Sequence, residues 1–297
     1  MQALMLRMKS AKAYRHIQAD GLLPLPCANT LRRLLSSSDC KFGFNELALK
    51  NIMKALDGKK SFERWGCLLF DEMSILADLT FDPKLLEWHG IVDYGENIKE
   101  SFEKGLADHA LVFMFRPYEG DWVQPFACFA TKGAAKDEIL YELLAKAVCL
   151  LHNHLAIVKN FVSDGHQANK KVATIFGIRT VEPCKTYFLH PMDDSIKIYW
   201  FVDVPHALKC VRNHILTHKQ VQFAGEIANY EFYSRLYKQE KFNGLRLAHR
   251  LTESHIYPTN FQRMNVRKAA QVLSRTVAMA IKHYREKEET KKDFKGK

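Results

Sequence analysis

Between residues 65 and 202 the hydrophobic period changes several times, and the order of those changes limits the fold more than any single motif. "GCLLFDEMSI" reads as a β-run, "HGIVDYG" as a shorter one, and "ALVFMFRP" and "VQPFACFAT" flank the turn "YEGDW" as a hairpin. "KDEILYELLAKAVCLLHNH" then sets apolar residues at 139, 140, 143, 144, 147, 148 and 151, which predicts an amphipathic helix of about five turns. A strand over 156–162, a helical piece "QANKKVATIFGI" and the strand "IKIYWFVD" follow. Strands able to form a meander, followed by alternating helices and strands, predict an α/β fold: a mixed sheet with flanking helices.

The regions on either side read as helical, giving the expected division 1–60, 61–203 and 204–297. In the first, "LPLPCANTLRRLLSS" is a proline-bounded turn and a short helix from Asn29–Thr30 that carries Arg32 and Arg33. "FNELALKNIMKAL" supplies a second helix, and the pair is either a helix-turn-helix or a small helical cap. In the last, "VPHALKCVRNHIL" opens a helix, and "RMNVRKAAQVLSRTVAMAIKHY" reads as one helix with Val266, Ala269, Ala270, Leu273, Val277 and Ile281 on one face. The charged end "REKEETKKDFKGK" is expected to be frayed or disordered.

The net charge of +11 is unevenly placed. Residues 1–60 hold 11 Lys/Arg against 4 Asp/Glu, residues 61–203 hold 14 against 21, and residues 204–297 hold 19 against 8. Basic flanks suit a polyanion such as DNA, and an acidic middle suits a cation site. Arg32 and Arg33 in the first flank and Arg263, Arg267 and Lys268 in the last are the candidate DNA contacts. No apolar run approaches the ~18 residues of a membrane span, and the start lacks a signal-peptide core, so an intracellular protein with no membrane partner is expected. Seven scattered cysteines without a CxxC pair favour reduced thiols over a disulfide framework or zinc site.

Two acidic positions stand out. Asp71 and Glu72 interrupt the apolar strand "LLFDEMSI", and Asp164 ends the strand 156–162 in "VSDG". An Asp-Gly pair also makes turns and caps helices, so Asp164 alone has an ordinary explanation. If the first and fourth strands are neighbours, Asp71 and Asp164 approach each other, and a hard divalent cation, Mg2+ or Mn2+, would relieve their repulsion. Asp203, at the end of the fifth strand, is a weaker acidic candidate.

Taken in order, "LLFDEMSI", "ALVFMF", "PFACFAT", "VSDGHQANKKVATIFGI", "HPMDDSIKIYWFVDVPHALKCVRNH" and "HIYPTNFQRMNVRKAAQVLSRTVAMAI" resemble the P-element family of transposases, the THAP-domain type. The resemblance implies an RNase H-like catalytic domain, interrupted after its fifth strand by a helical GTP-binding insertion. It implies metal-dependent DNA cleavage and strand transfer in the nucleus, with Asp71 and Asp164 as the first two acids of an Asp, Asp, Glu set. It places that Glu beyond Lys297 and a zinc-coordinating THAP module before Met1. For the nucleotide it points to Val266 and Ser274, and to Arg250 in place of a lysine, while an expected acidic residue is Gly244; those departures count against GTP. A non-catalytic, domesticated DNA-binding or assembly module is the alternative, and a homo-oligomer is left open.

Overall fold

The computed structural model describes residues 2–36, 41–83, 87–95, 105–223, 225–242 and 244–295. The chain opens with helices α1 (Gln2–Lys9), α2 (Ala11–Ala19) and α3 (Ala28–Ser36), the short strand β1 (Gly43–Phe44) and α4 (Glu46–Leu56). Then come β2 (Trp65–Ser74), a small hairpin of β3 (Thr80–Asp82) and β4 (Glu87–His89), β5 (His109–Pro117) and β6 (Gln124–Thr131). Helix α5 (Asp137–Asn153) leads to β7 (Ile157–Ser163), α6 (Gln167–Ile175), β8 (Tyr187–His190) and β9 (Asp193–Val202). The remainder is α7 (Val204–His218), the hairpin β10 (Gln220–Phe223) and β11 (Glu226–Asn229), then α8 (Glu231–Glu240), α9 (Glu253–Ile256), α10 (Asn260–Arg263), α11 (Val266–Val272) and α12 (Arg275–Lys295).

Seven strands form one mixed sheet in the order β1-β6-β5-β2-β7-β9-β8. The expected neighbours, first and fourth, are β2 and β7, and they run parallel. β9 is parallel to β7 on the other side, and β8 closes that edge antiparallel to β9.

By compactness the chain divides into two units. One comprises 1–55, 72–114 and 124–134. Its core is aromatic: Phe44 and Phe113 each sit 5.3 Å from Phe129, edge-on, a geometry that suits ring quadrupoles. Asn45 caps α4 by accepting the Ala48 N–H at 2.8 Å. The other unit comprises 56–71, 115–123 and 135–297. There Phe161 on β7 is ringed by Phe70, Phe176, Phe188 and Trp200 at 5.3–6.1 Å between ring centres. The apolar stripe of α5 is buried as its spacing predicts, through Leu140, Leu143, Leu144, Ala147, Val148 and Leu151; each buried leucine contributes about 1.5–3 kcal/mol. The C-terminal helices have their own core, built on Ile215, Leu216, Leu236, Ile256, Val272 and Val277.

Several expectations need correction. The single helix over 263–284 is divided: Leu273 ends α11, and Ser274 accepts the Val277 N–H at 3.4 Å at the start of α12. A serine hydroxyl competes with helix continuation and favours a cap, which the apolar spacing does not register. Ala270, set on the same face as Ala269 by the apolar spacing, is exposed, while Ala269, Val272, Val277 and Ala280 are buried. The charged tail continues α12 to Lys295, because Arg, Glu and Lys are good helix formers and Lys282 pairs with Glu286 one turn on. "HGIVDYG" makes isolated bridges at Ile91 and Asp93 instead of a strand, between glycines at positive φ, Gly90 and Gly95.

Candidate active site

Asp71 lies in the second half of β2, and Asp164 and Asp203 directly follow β7 and β9. The parallel register pairs Leu69 with Val162 and Val162 with Phe201. Two residues further along each strand stand Asp71, Asp164 and Asp203. The Asp203 N–H still donates to the Ser163 carbonyl at 2.8 Å, so pairing holds to the end of β9. Neighbouring strands lie ~4.8 Å apart, so the same register continued two residues past Leu69 and Val162 would set Asp71 and Asp164 in neighbouring positions. Asp71 is exposed, and Glu72 and Asp164 are half-buried.

Each turn at these strand ends has a local cause. Asp164 Oδ1 accepts from the His166 N–H at 3.0 Å and from Asn169 Nδ2 at 2.7 Å, which closes the backbone over the start of α6. Both bonds fall on Oδ1. Asp203 caps α7, accepting the His206 N–H through Oδ2 at 3.1 Å, with Pro205 in the first turn. Among the described residues no three His, Cys, Asp or Glu side chains converge as a metal-ligand cluster. The donor set is nevertheless of the right chemistry for a hard cation, being all carboxylate oxygen.

A second polar site lies among the C-terminal helices. A cavity of about 430 Å3 is lined by Arg250, Arg267, Gln271, Ser274 and Thr276, with the Ala248 segment as one wall. Arg250 and Ser274 thus share one cavity, whereas Val266, at the start of α11, is not part of its lining. The 247–248 backbone is held by a buried carboxylate: Glu240 accepts the N–H groups of Leu247 and Ala248 at 2.9 and 3.0 Å.

Two family models match the chain: the TNP-like RNase H N-terminal domain over residues 40–177 and the TNP-like GTP-binding insertion domain over 205–297. The Drosophila melanogaster "Transposable element P transposase" is 30% identical over 292 residues, covering 94% of this chain and 34% of that protein. The chain belongs to the P-element transposase family. The human "DNA transposase THAP9" is 25% identical over 287 residues, covering 95% of the chain and 31% of that protein. Among solved structures, the "Drosophila P element transposase strand transfer complex" superposes with a TM-score of 0.74 at 28% identity, over 96% of this chain and 58% of that one. The chain spans about a third of the length of these two sequence relatives.

The basic residues of this P-element-type chain fall in different settings. Arg32 and Arg33 are exposed on α3, where Arg32 Nη1 donates to Asn29 Oδ1 at 2.9 Å. Arg267 faces the cavity, Lys268 donates to Ser254 Oγ, and the side chain of Arg263 is exposed. Residue-type reasoning did not assign a role to three further arrangements. Arg212 is 1% exposed, and its Nη2, with Asn213 Nδ2, donates to the Arg263 carbonyl at 2.9 and 3.1 Å, tying α7 to the end of α10. The block "PHALKCVRN" drew attention to both residues but not to this role. Glu240 offered no signal, since nothing in "YKQEKFNG" distinguishes a buried glutamate. The His152 and His190 rings meet at 4.7 Å from α5 and β8, and their sequence separation concealed the pairing.

Proposed function

We propose that this chain carries the chemistry of metal-dependent DNA cleavage and strand transfer, with Asp71 and Asp164 as catalytic and metal-binding residues. The observation that supports this reading best is the parallel β2–β7 pairing, whose register, continued two residues past Leu69 and Val162, would bring the two aspartates into adjoining positions. Asp71 and Asp164 would hold a divalent cation, Mg2+ or Mn2+, which when bound supplies Lewis-acid activation at a phosphodiester. The turn that fixes Asp164 Oδ1 orients that carboxylate before any cation arrives, and Oδ2 is the oxygen on which none of those bonds fall. Arg32, Arg33, Arg263, Arg267 and Lys268 neutralise backbone phosphates, a sequence-tolerant mode of DNA binding that fits a nuclear protein. In the insertion, Arg250 and Ser274, with Val266 nearby in sequence, form a nucleotide-binding cavity.

The alternative is a non-catalytic DNA-binding or assembly module of the same family, favoured by the lack of a converging three-ligand set among the described residues. Mn2+ titration followed by electron paramagnetic resonance tests the first reading. Wild-type chain should bind Mn2+, and Asp71→Asn and Asp164→Asn should each weaken it at least tenfold. Asp164→Asn keeps the oxygen that accepts from His166 and Asn169, so a loss of Mn2+ cannot be ascribed to a broken turn. Unchanged Mn2+ binding in both variants, alongside intact DNA binding, would favour the assembly module.

A further inference from the structure

Ser74 at the end of β2, His109 at the start of β5 and Asp108 just before it form a hydrogen-bonded line within the unit 1–55, 72–114 and 124–134. Ser74 Oγ lies 3.1 Å from His109 Nε2, and His109 Nδ1 lies 2.8 Å from Asp108 Oδ1. The acid decides where the protons sit. Asp108 lies below its ordinary pKa, held there first by the His109 bond and then by the Gly133 N–H, so it is an ionised carboxylate that can only accept. His109 Nδ1 must therefore carry the ring proton and donate to Oδ1. In the neutral ring that leaves Nε2 as an acceptor, and the Ser74 hydroxyl is its donor. A hydroxyl bonded to one imidazole nitrogen, with the other nitrogen oriented by a carboxylate, is the arrangement that activates serine for nucleophilic attack.

Backbone bonds hold this line from both sides. β2 and β5 are neighbours in the sheet, and just past Ser74 the Ile75 N–H donates to the Asp108 carbonyl at 2.8 Å. The Asp108 N–H donates to the Thr131 carbonyl at 3.0 Å, and Asp108 Oδ1 accepts the Gly133 N–H at 2.6 Å. Side chains carried on strand ends fixed in this way are placed more precisely than on a free loop. Burial does not account for the alignment. Ser74 is exposed and Asp108 and His109 are half-buried, so water could satisfy each of these polar atoms without any of the three meeting. The same exposure leaves Ser74 Oγ open to an incoming electrophile. A nucleophile at the surface selects by reactivity before fit, which points to small esters with a good leaving group.

We propose that Ser74 is a nucleophile toward small activated acyl esters, with His109 as its general base and Asp108 as the residue that positions the imidazole. Ser74 Oγ bonds to the ester carbonyl carbon as its proton passes to His109 Nε2; the carbon–oxygen bond to the leaving group then breaks, and the departing oxygen keeps the electron pair and takes up that proton. Water, deprotonated by the same Nε2, cleaves the acyl-serine and restores the hydroxyl. Two probes applied to the full chain test this, a fluorophosphonate and p-nitrophenyl acetate, each followed by mass spectrometry of proteolytic peptides. Both should modify Ser74 ahead of the other serines, and Ser74→Ala should remove that modification. His109→Gln should slow it about a hundredfold or more, the size of a general-base contribution. Asp108→Asn keeps an oxygen for the Gly133 N–H yet loses the charge that holds the ring proton on Nδ1, so it should slow the reaction comparably, and Asp108→Glu should restore part of the rate. The wild-type circular dichroism spectrum in each variant separates these losses from misfolding. Ser74 left unmodified by both probes, or modified as fast in His109→Gln as in wild type, would overturn the proposal. Full reactivity in Asp108→Asn would remove Asp108 from it.

Discussion

Acidification should loosen this protein through a single buried imidazole. His190 is 1% exposed, its Nδ1 accepts the Met192 N–H at 3.0 Å, and its Nε2 has no hydrogen-bond partner. Burial, then the neighbouring His152 ring, drives its pKa down from an ordinary 6.5 to about 4; Asp193 opposes the shift and Lys159 adds to it. In the native state the ring therefore stays neutral where the unfolded chain would protonate it. Between pH 6.5 and 4 the unfolded state binds more protons, so stability is fully present above 6.5 and is lost as pH falls towards 4. The linkage integral gives about 2.5 kcal/mol lost by pH 4.5, with a ceiling near 3.4 kcal/mol at lower pH. Urea unfolding followed by circular dichroism at pH 7.5 and 4.5, on wild type and His190→Gln, isolates this group from the other titrations. Glutamine retains an acceptor for Met192 but cannot gain a charge, so the variant should lose about 2.5 kcal/mol less than wild type over that interval. Equal losses in the two proteins would refute the argument, because they would show that His190 protonates without cost in the folded state.

Gly66→Ala should destabilise the chain by about 1–3 kcal/mol in urea unfolding, since an added Cβ would stand 2.5 Å from the Arg116 carbonyl oxygen and 2.6 Å from the Phe115 ring. Glu240→Ala should cost about 2 kcal/mol by the same measurement, through the Leu247 and Ala248 N–H groups it leaves without their acceptor. DNA affinity, measured by fluorescence anisotropy, should fall steeply with salt, and neutralising any one of Arg32, Arg33, Arg263, Arg267 and Lys268 that touches phosphate should flatten the log-log slope by about one unit.

What could be read from the residues depended on the range of the interaction. The order of strands and of α5 and α6 follows from local periodicity, and the β2–β7 adjacency follows from the meander plus a crossover helix; both are properties of contiguous segments. The short strands β8, β10 and β11 escaped because each has only four residues, too few for a period to declare itself. The break at Leu273–Ser274 escaped because one hydroxyl outweighs a favourable apolar spacing that continues through it. The tail was misjudged in the opposite sense: high charge was read as disorder, although its residues are helix formers. In the candidate site, aspartates at strand ends were visible as breaks in an apolar pattern, while the His152–His190 contact and the Glu240 clasp were not. Such groups are identified by burial, which only the folded chain supplies.

The same distinction explains why Asp164 invites two readings that are compatible. A carboxylate has two oxygens, and the turn at the start of α6 uses Oδ1 alone. A purely structural aspartate would be replaceable by asparagine at little cost, since the amide oxygen accepts the same two bonds. A cation site would not tolerate that change, because it loses the charge that offsets the penalty of dehydrating the ion. Asp71 sits two residues past Leu69, in a strand whose apolar pattern it interrupts, and a shared cation with Asp164 would give a charge there a use that strand geometry alone does not. Asp203 directly follows β9, but its Oδ2 is engaged by the His206 N–H as the cap of α7. Its removal should therefore be felt first at α7, the helix that carries Arg212 and Asn213, and only secondarily at the sheet end.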